Sequence, residues 1–141
     1  MGCRVLISVL TNKIGDKSYQ TFSDIMNQTT EGIEMSVVVI DWSSNGEVRR
    51  ILNENFPKIN VISTKENLGF SGGHNLAVEL ALKKDVDFLF ILNDDIRISK
   101  DYILKMTLEG LKRNDAAALG SIIRFPNGRI SARPRALKCR G

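Results

Sequence analysis

Residues 88 to 96 read Phe-Leu-Phe-Ile-Leu-Asn-Asp-Asp-Ile: five apolar residues without a break, then an amide and two carboxylates. A short apolar run with no alternation is the pattern of a parallel strand covered by helices on both faces. Val37-Val38-Val39-Ile40 has the same character and runs into Asp41. Working outward, five strands are expected, over 4–10, 35–41, 60–64, 87–93 and 116–125. Between them lie apolar stripes at helical spacing: Tyr19, Phe22, Ile25, Met26 and Ile33; Val48, Ile51 and Leu52; Ala77, Leu80 and Ala81; Leu104, Leu108 and Leu111. Strand and helix alternate, which predicts an α/β fold, a mostly parallel sheet with helices on both faces. Ligands of such open sheets bind outside the carboxyl ends of the strands. The residues to examine are therefore those that follow each strand.

With 141 residues, 43% of them hydrophobic, the chain is the size of one domain that can build its own core. The net charge of +4 is unevenly placed, because all sixteen acids precede Ala116. Arg124, Arg129, Arg133, Arg135, Lys138 and Arg140 follow it without a single Asp or Glu. A solvated basic tail over 127–141 is expected, and with Phe125 as its one neighbouring aromatic it offers no platform for base stacking, so nucleic acid is not an expected partner. Two cysteines at opposite ends, Cys3 and Cys139, and a single histidine cannot assemble a zinc site, and reduced thiols fit a cytoplasmic protein. No apolar run is long enough to span a membrane.

Three strand-end segments carry chemistry. In the first, Asn93 and Asp95 project to one side and Asp94 to the other if the backbone stays extended. An amide, a carboxylate and diphosphate oxygens make a hard donor set suited to Mg²⁺ or Mn²⁺; the competing reading is that Asp94 or Asp95 caps a turn or the helix near Lys100. The second, Asn67-Leu68-Gly69-Phe70-Ser71-Gly72-Gly73-His74-Asn75, places three glycines where a helix opens after a strand. Its backbone could approach a phosphate closely at the positive helix end, or it could be a tight turn before a capped helix. His74 is open to three roles: phosphate donor, general base or satisfied loop residue. The third, Asp41-Trp42-Ser43-Ser44-Asn45-Gly46, could accept the ring N–H of a pyrimidine and bind ribose hydroxyls, or form an Asx turn.

In their order and spacing these segments resemble the family-two glycosyltransferases of GT-A fold, in particular the rhamnosyltransferase-like branch. The resemblance covers nearly the whole chain and implies a Rossmann-like nucleotide-binding half over 1–126, with the basic tail behind it. It implies that Leu10, Thr11 and Asn12 end the first strand at the nucleotide base. Asp41, Ser44, Asn67, Gly69, Gly73, His74, Asn75, Asn93 and Asp94 would complete the nucleotide-sugar site, and Asp95 with Asn93 would hold Mg²⁺ or Mn²⁺. Departures are Trp42 where Asp or Asn is common, His74 where an Arg often touches diphosphate, and Asn93 in place of Asp at the head of the metal motif. The implied activity is inverting transfer from a UDP- or dTDP-sugar, with dTDP-rhamnose one candidate, to a saccharide or lipid-linked saccharide acceptor. The implied place is the cytoplasm, at the inner face of the membrane where the acceptor is lipid-linked, with peripheral membrane association. The family's carboxylate base has no candidate after Asp115, so the catalytic residue is unassigned and the chain reads as an incomplete, donor-binding half. A noncatalytic nucleotide-binding module derived from such an enzyme is the alternative. An exposed sheet edge left by the missing half would favour homo-oligomers.

Overall fold

The structure is a computed structural model that describes residues 2–133 and 136–138. Arg135, Cys139 and Arg140 of the expected basic tail lie outside the described residues. The chain divides into two compact units, Met1–Tyr102 and Ile103–Gly141.

The first unit is built on β1 (Cys3–Thr11), α1 (Asp16–Met26), β2 (Ile33–Asp41), α2 (Glu47–Asn55), β3 (Asn60–Ser63), α3 (Gly69–Lys83) and β4 (Phe88–Leu92). Its four strands are all parallel and lie in the order β3-β2-β1-β4. The chain moves outward from β1 to β3, and α3 then carries it back across the sheet to the far side of β1. The strand order therefore reverses between β1 and β4, which is where an open α/β sheet leaves a crevice for a ligand.

Val5, Ile7, Val9 and Val37 to Ile40 are buried, as their β-branched run requires. Leu6, Val38 and Ile40 form one cluster with Ala77 and Ala81 of α3, so small residues on the helix let it lie close to the sheet. Closest of all is Gly73, where an added Cβ would fall 2.6 Å from Leu10 Cδ1. Tyr19 and Phe22 of α1 meet Phe56, just after α2, at ring-centre distances of 5.0 and 6.2 Å, which joins the two helices.

Several expectations are corrected. Ile33 does not continue the first helix: Gly32, at φ 72°, makes a left-handed turn and Ile33 opens β2. The expected fifth strand is broken into β5 (Ala116–Leu119) and β6 (Ile123–Arg124), neither of which joins the parallel sheet. β5 pairs antiparallel with β8 (Ala136–Lys138), and β6 with β7 (Ile130–Ala132). The β6–β7 hairpin turns at Asn127-Gly128, where Gly128 takes φ 82° and the Asn127 side chain accepts the Arg129 N–H at 3.1 Å. In α4 (Tyr102–Leu111) the buried positions are Ile103 and Thr107, whereas Leu108 and Leu111 are exposed. β4 is also not covered on both faces: it is an edge strand with Ile91 exposed.

The Gly73–Leu10 contact makes a direct prediction. Gly73→Val should cost about 1–3 kcal/mol by overpacking. Leu10→Ala in the same chain should recover part of that cost. Urea midpoints of the single and double variants that add to within about 0.3–0.5 kcal/mol would show the two sites to be independent and refute the packing argument.

Candidate functional site at the strand ends

The strand register sets the site. Thr11 pairs with Asp41, and Asp41 with Ser63. On the other side Val9 pairs with Leu92, so the chain beyond β4 brings Asp94 level with Thr11. Ser63, Asp41, Thr11 and Asp94 thus form a polar row across the carboxyl edge of an otherwise apolar sheet.

Each member is bound to the next or to its own turn. Thr11 Oγ1 donates to Asp94 Oδ2 at 2.5 Å, a hydrogen bond that spans the β1/β4 crevice. Asp41 is fully buried, and its Oδ1 accepts the Ser43 N–H at 2.7 Å while Oδ2 accepts the Ser63 hydroxyl at 3.2 Å. Arg49 of α2 donates from Nη2 to Ser63 Oγ at 3.0 Å and to the Val61 carbonyl at 2.9 Å, fixing the end of β3. Burying a carboxylate requires partners of this kind. Asp41 therefore makes the Asx turn, and its two oxygens already have internal donors. Ser44 and Asn12 are exposed on either side of it. The side chain that sequence reasoning passed over is Ser43, whose Oγ is buried without a hydrogen-bond partner among the described residues.

The glycine segment is not a loop before a helix but the helix itself, since α3 begins at Gly69. Gly69 has φ 65°, and its N–H is accepted by Asn67 Oδ1 at 2.9 Å, which fixes the helix entry. Gly73 touches Leu10, His74 touches Ser8, and Ala77 and Ala81 pack with Leu6. The helix therefore runs antiparallel to β1, and its first turn, residues 69–72, overhangs the end of that strand. Gly73 has a packing reason for lacking a side chain. Asn75 is exposed.

His74 is buried inside the unit rather than placed in a loop. Nδ1 shares a 2.9 Å hydrogen bond with Ser8 Oγ, and the ring meets Phe70 edge-on at 4.6 Å. Nε2 has no partner among the described residues, and burial pushes the imidazole pKa below its ordinary value.

The acidic segment departs from the extended geometry expected of it. β4 ends at Leu92 and the chain turns at Asp94-Asp95, so the side chains do not simply alternate there. Asp94 is spent on Thr11 and closes the crevice. Asn93 and Asp95 are exposed and make no hydrogen bond or ion pair among the described residues. One free carboxylate and one free amide oxygen are the donor set of a hard divalent cation that takes its remaining ligands from phosphate and water. No group of three His, Cys, Asp or Glu side chains comes together among the described residues, so these by themselves offer no closed metal cage.

The polar face of α1 was not legible as part of the site. Thr21 Oγ1 lies 3.0 and 2.7 Å from the carbonyls of Asp94 and Ile96. Arg97 makes a fork to Asp24, Nε to Oδ2 at 2.6 Å and Nη2 to Oδ1 at 3.0 Å. Just past the end of α1, Gln28 donates to the Ser99 carbonyl at 2.8 Å. The available signal was Thr21, Asp24 and Gln28 recurring at helical spacing beside the apolar stripe.

A polar edge supported by α1 and α3 thus stands where strand order reverses, with the first turn of α3 on one side and unpaired oxygen donors on the other. The profile of glycosyl transferase family 2 matches residues 9–138. The chain belongs to that family. Among solved structures, the mannosyltransferase PcManGT from Pyrobaculum calidifontis, in complex with GDP-Man and Mn²⁺, is 20% identical with a TM-score of 0.69. The match covers 90% of this chain and 37% of that one. S. aureus TarS 1-349 in complex with UDP-GlcNAc is 15% identical with a TM-score of 0.60, covering 89% of this chain and 41% of that one. A further crystal structure of S. aureus TarS 1-349 is 17% identical with a TM-score of 0.61, covering 89% of this chain and 43% of that one. These likenesses establish the GT-A fold for this family-2 chain, which spans less than half of each of these proteins. No curated protein matches the chain. No helix among the described residues is long and apolar enough to cross a membrane.

His74 is the single histidine, so its titration can be read without ambiguity. Its folded pKa is depressed, so the unfolded chain binds the proton more readily. The stability this contributes is present above the unfolded value of about 6.5 and declines as pH falls below it. Chemical denaturation between pH 7 and 5 should show falling stability in the parent chain and a flatter profile in His74→Gln. Equal slopes in the two would refute the burial argument.

Proposed function

We propose that this family-2 domain is the donor-binding half of an inverting glycosyltransferase, gripping the diphosphate of a nucleotide sugar between the first turn of α3 and the turn after β4. The observation that carries the reading is the unspent pair Asn93 and Asp95 at the point where strand order reverses, beside an Asp94 already committed to Thr11.

Asp95 and Asn93 would hold Mg²⁺ or Mn²⁺, which when bound supplies charge neutralisation to a departing diphosphate. The remaining work belongs to the chain. Backbone N–H groups of residues 70–72 present the positive end of a 15-residue helix to phosphate oxygens. Asn67 fixes Gly69 at that entry, Asn75 is available to the sugar, and His74 supports the turn from behind through Ser8. Asn12, Ser44 and the unpartnered Ser43 hydroxyl would read base and ribose, with Asp41 holding their turn. This polar edge supports a pyrimidine nucleotide, UDP or dTDP, with dTDP-rhamnose among the donors. A saccharide or lipid-linked saccharide hydroxyl would be the acceptor.

The alternative is a noncatalytic nucleotide-binding module. Donor binding without transfer or hydrolysis, even when a downstream segment of a family member is added, would select it.

Thermal unfolding with UDP, dTDP and GDP, each with and without Mn²⁺, tests the proposal. A nucleotide at one hundred times its Kd should add about 2.7 kcal/mol of stability. The Mn²⁺-dependent part of that gain should vanish in Asp95→Ala. No shift with any nucleotide, or an unchanged metal-dependent shift in Asp95→Ala, overturns the site. A larger shift with GDP than with UDP or dTDP overturns the choice of a pyrimidine.

A further inference from the structure

The turn that presents Asp95 is short, exposed and follows an edge strand, so it has little of its own to hold it in one conformation. Beside the Thr11–Asp94 hydrogen bond, what holds it is α1 and the residues just after it. Thr21 and Asp24 lie three residues apart on that helix, Gln28 follows just past its end, and all three face the segment 94–99. Thr21 reaches the carbonyls of Asp94 and Ile96, Gln28 reaches that of Ser99, and Thr29 N–H donates to the Lys100 carbonyl at 2.8 Å.

Asp24 has the central place. Both of its oxygens receive the Arg97 guanidinium, and Oδ2 also accepts the Ile98 N–H at 3.3 Å. Gln20, one turn earlier, receives Arg97 Nη1 at 3.3 Å. The Asp24 carboxylate is 17% exposed against 66% for Arg97, so the acid is the fixed partner and the arginine is the part drawn to it. The Arg97 hydrogen bond, joined by the Ile98 N–H, holds the Asp24 carboxyl below the usual carboxylate range. These tethers engage Arg97, the Ile98 N–H and the carbonyls of residues 94, 96, 99 and 100. The Asp95 side chain is left out of all of them.

We propose that Asp24 is a positioning residue for the donor site: through its fork to Arg97 it fixes the turn 93–96 against α1, so that Asp95 presents its carboxylate to the cation and diphosphate in one orientation. The inference rests on the donor-site reading given above. Outer partners that orient ligand side chains commonly contribute 10–100-fold to metal affinity.

The test uses the full 141-residue chain as parent, Asp24→Asn, and Glu54→Gln as the control. Glu54 pairs with Arg50 on the surface of α2, a comparable ion pair with no tie to the turn. Without metal, backbone order parameters of residues 93–96 should fall from the rigid level near 0.85 to below about 0.6 in Asp24→Asn, with β1 and β2 unchanged. The Mn²⁺ concentration that half-broadens the Asn93 and Asp95 amide signals should rise about 10-fold in that variant and stay at the parent value in Glu54→Gln. Asp24→Glu, which keeps the charge, should recover most of both effects.

Unchanged order parameters in Asp24→Asn overturn the proposal, and so does a loosened turn with an unshifted Mn²⁺ midpoint. Loss of order throughout the sheet makes Asp24 a general stabilising residue and overturns it as well. If Mn²⁺ leaves the Asn93 and Asp95 signals of the parent chain untouched, the cation site itself is refuted. The metal-free order parameters then still decide whether Asp24 fixes the turn.

Discussion

The hydrogen bond from Thr11 to Asp94 joins two strands at the place where the sheet changes direction, and the rest of the site depends on it. β1 and β4 are neighbours in space but far apart in sequence, connected through the whole excursion to β3 and back. Without a link between their ends the crevice would be bounded by two independent loops. With it, Asp94 becomes part of the frame, and its neighbour Asp95 is the acid left unpaired. The division of labour between adjacent carboxylates comes from partners rather than from position in the motif.

The same constraint operates at Asp41. A fully buried carboxylate is costly unless its lone pairs are met, and here a backbone N–H and the Ser63 hydroxyl meet them, with Arg49 behind the serine. Polar side chains gather along the carboxyl edge of the sheet, where each has a donor or acceptor within reach, and the one fully buried polar side chain farther back in β1, Ser8, is met by His74. On the helix side, Gly73 and the small residues Ala77 and Ala81 let α3 settle on Leu10 and Leu6, which carries the first turn of the helix past the end of β1.

How much of this could be read beforehand follows from the range of the interactions involved. The strands around Val37–Ile40 and Phe88–Leu92 were legible because an unbroken apolar run has few other homes. That β4 would be an edge strand was not legible, because coverage depends on which elements come to lie beside it. The stripe of α4 was misread for a related reason: Leu104, Leu108 and Leu111 and the observed Ile103 and Thr107 are both acceptable helical spacings, and only packing chooses between them. The strand over 116–125 failed locally, since Gly120-Ser121 interrupts it and the Asn127-Gly128 turn folds its second part into a hairpin. At the site, the residue types were evident in the strand-end segments. The partners were not, because the Thr11–Asp94 and Asp24–Arg97 contacts join positions more than seventy residues apart.

The charge balance of the crevice gives the reason for invoking a cation at all. Asp94 and Asp95 bring negative charge to the mouth that a diphosphate, itself anionic, would have to approach. The chain answers with the first turn of α3, whose macrodipole is worth roughly half a positive charge. Arg97, the nearest cation in sequence, is already neutralised by Asp24, and Arg49 is turned toward Ser63 and the Val61 carbonyl. Half a charge from a helix end, with Lys13 and Lys65 exposed in the neighbouring strand-end segments, offsets a diphosphate beside two carboxylates only in part, so a donor site here calls for a counter-ion shared between Asp95 and the phosphates. A turn held by α1 with one carboxylate left unpaired is the arrangement such sharing needs.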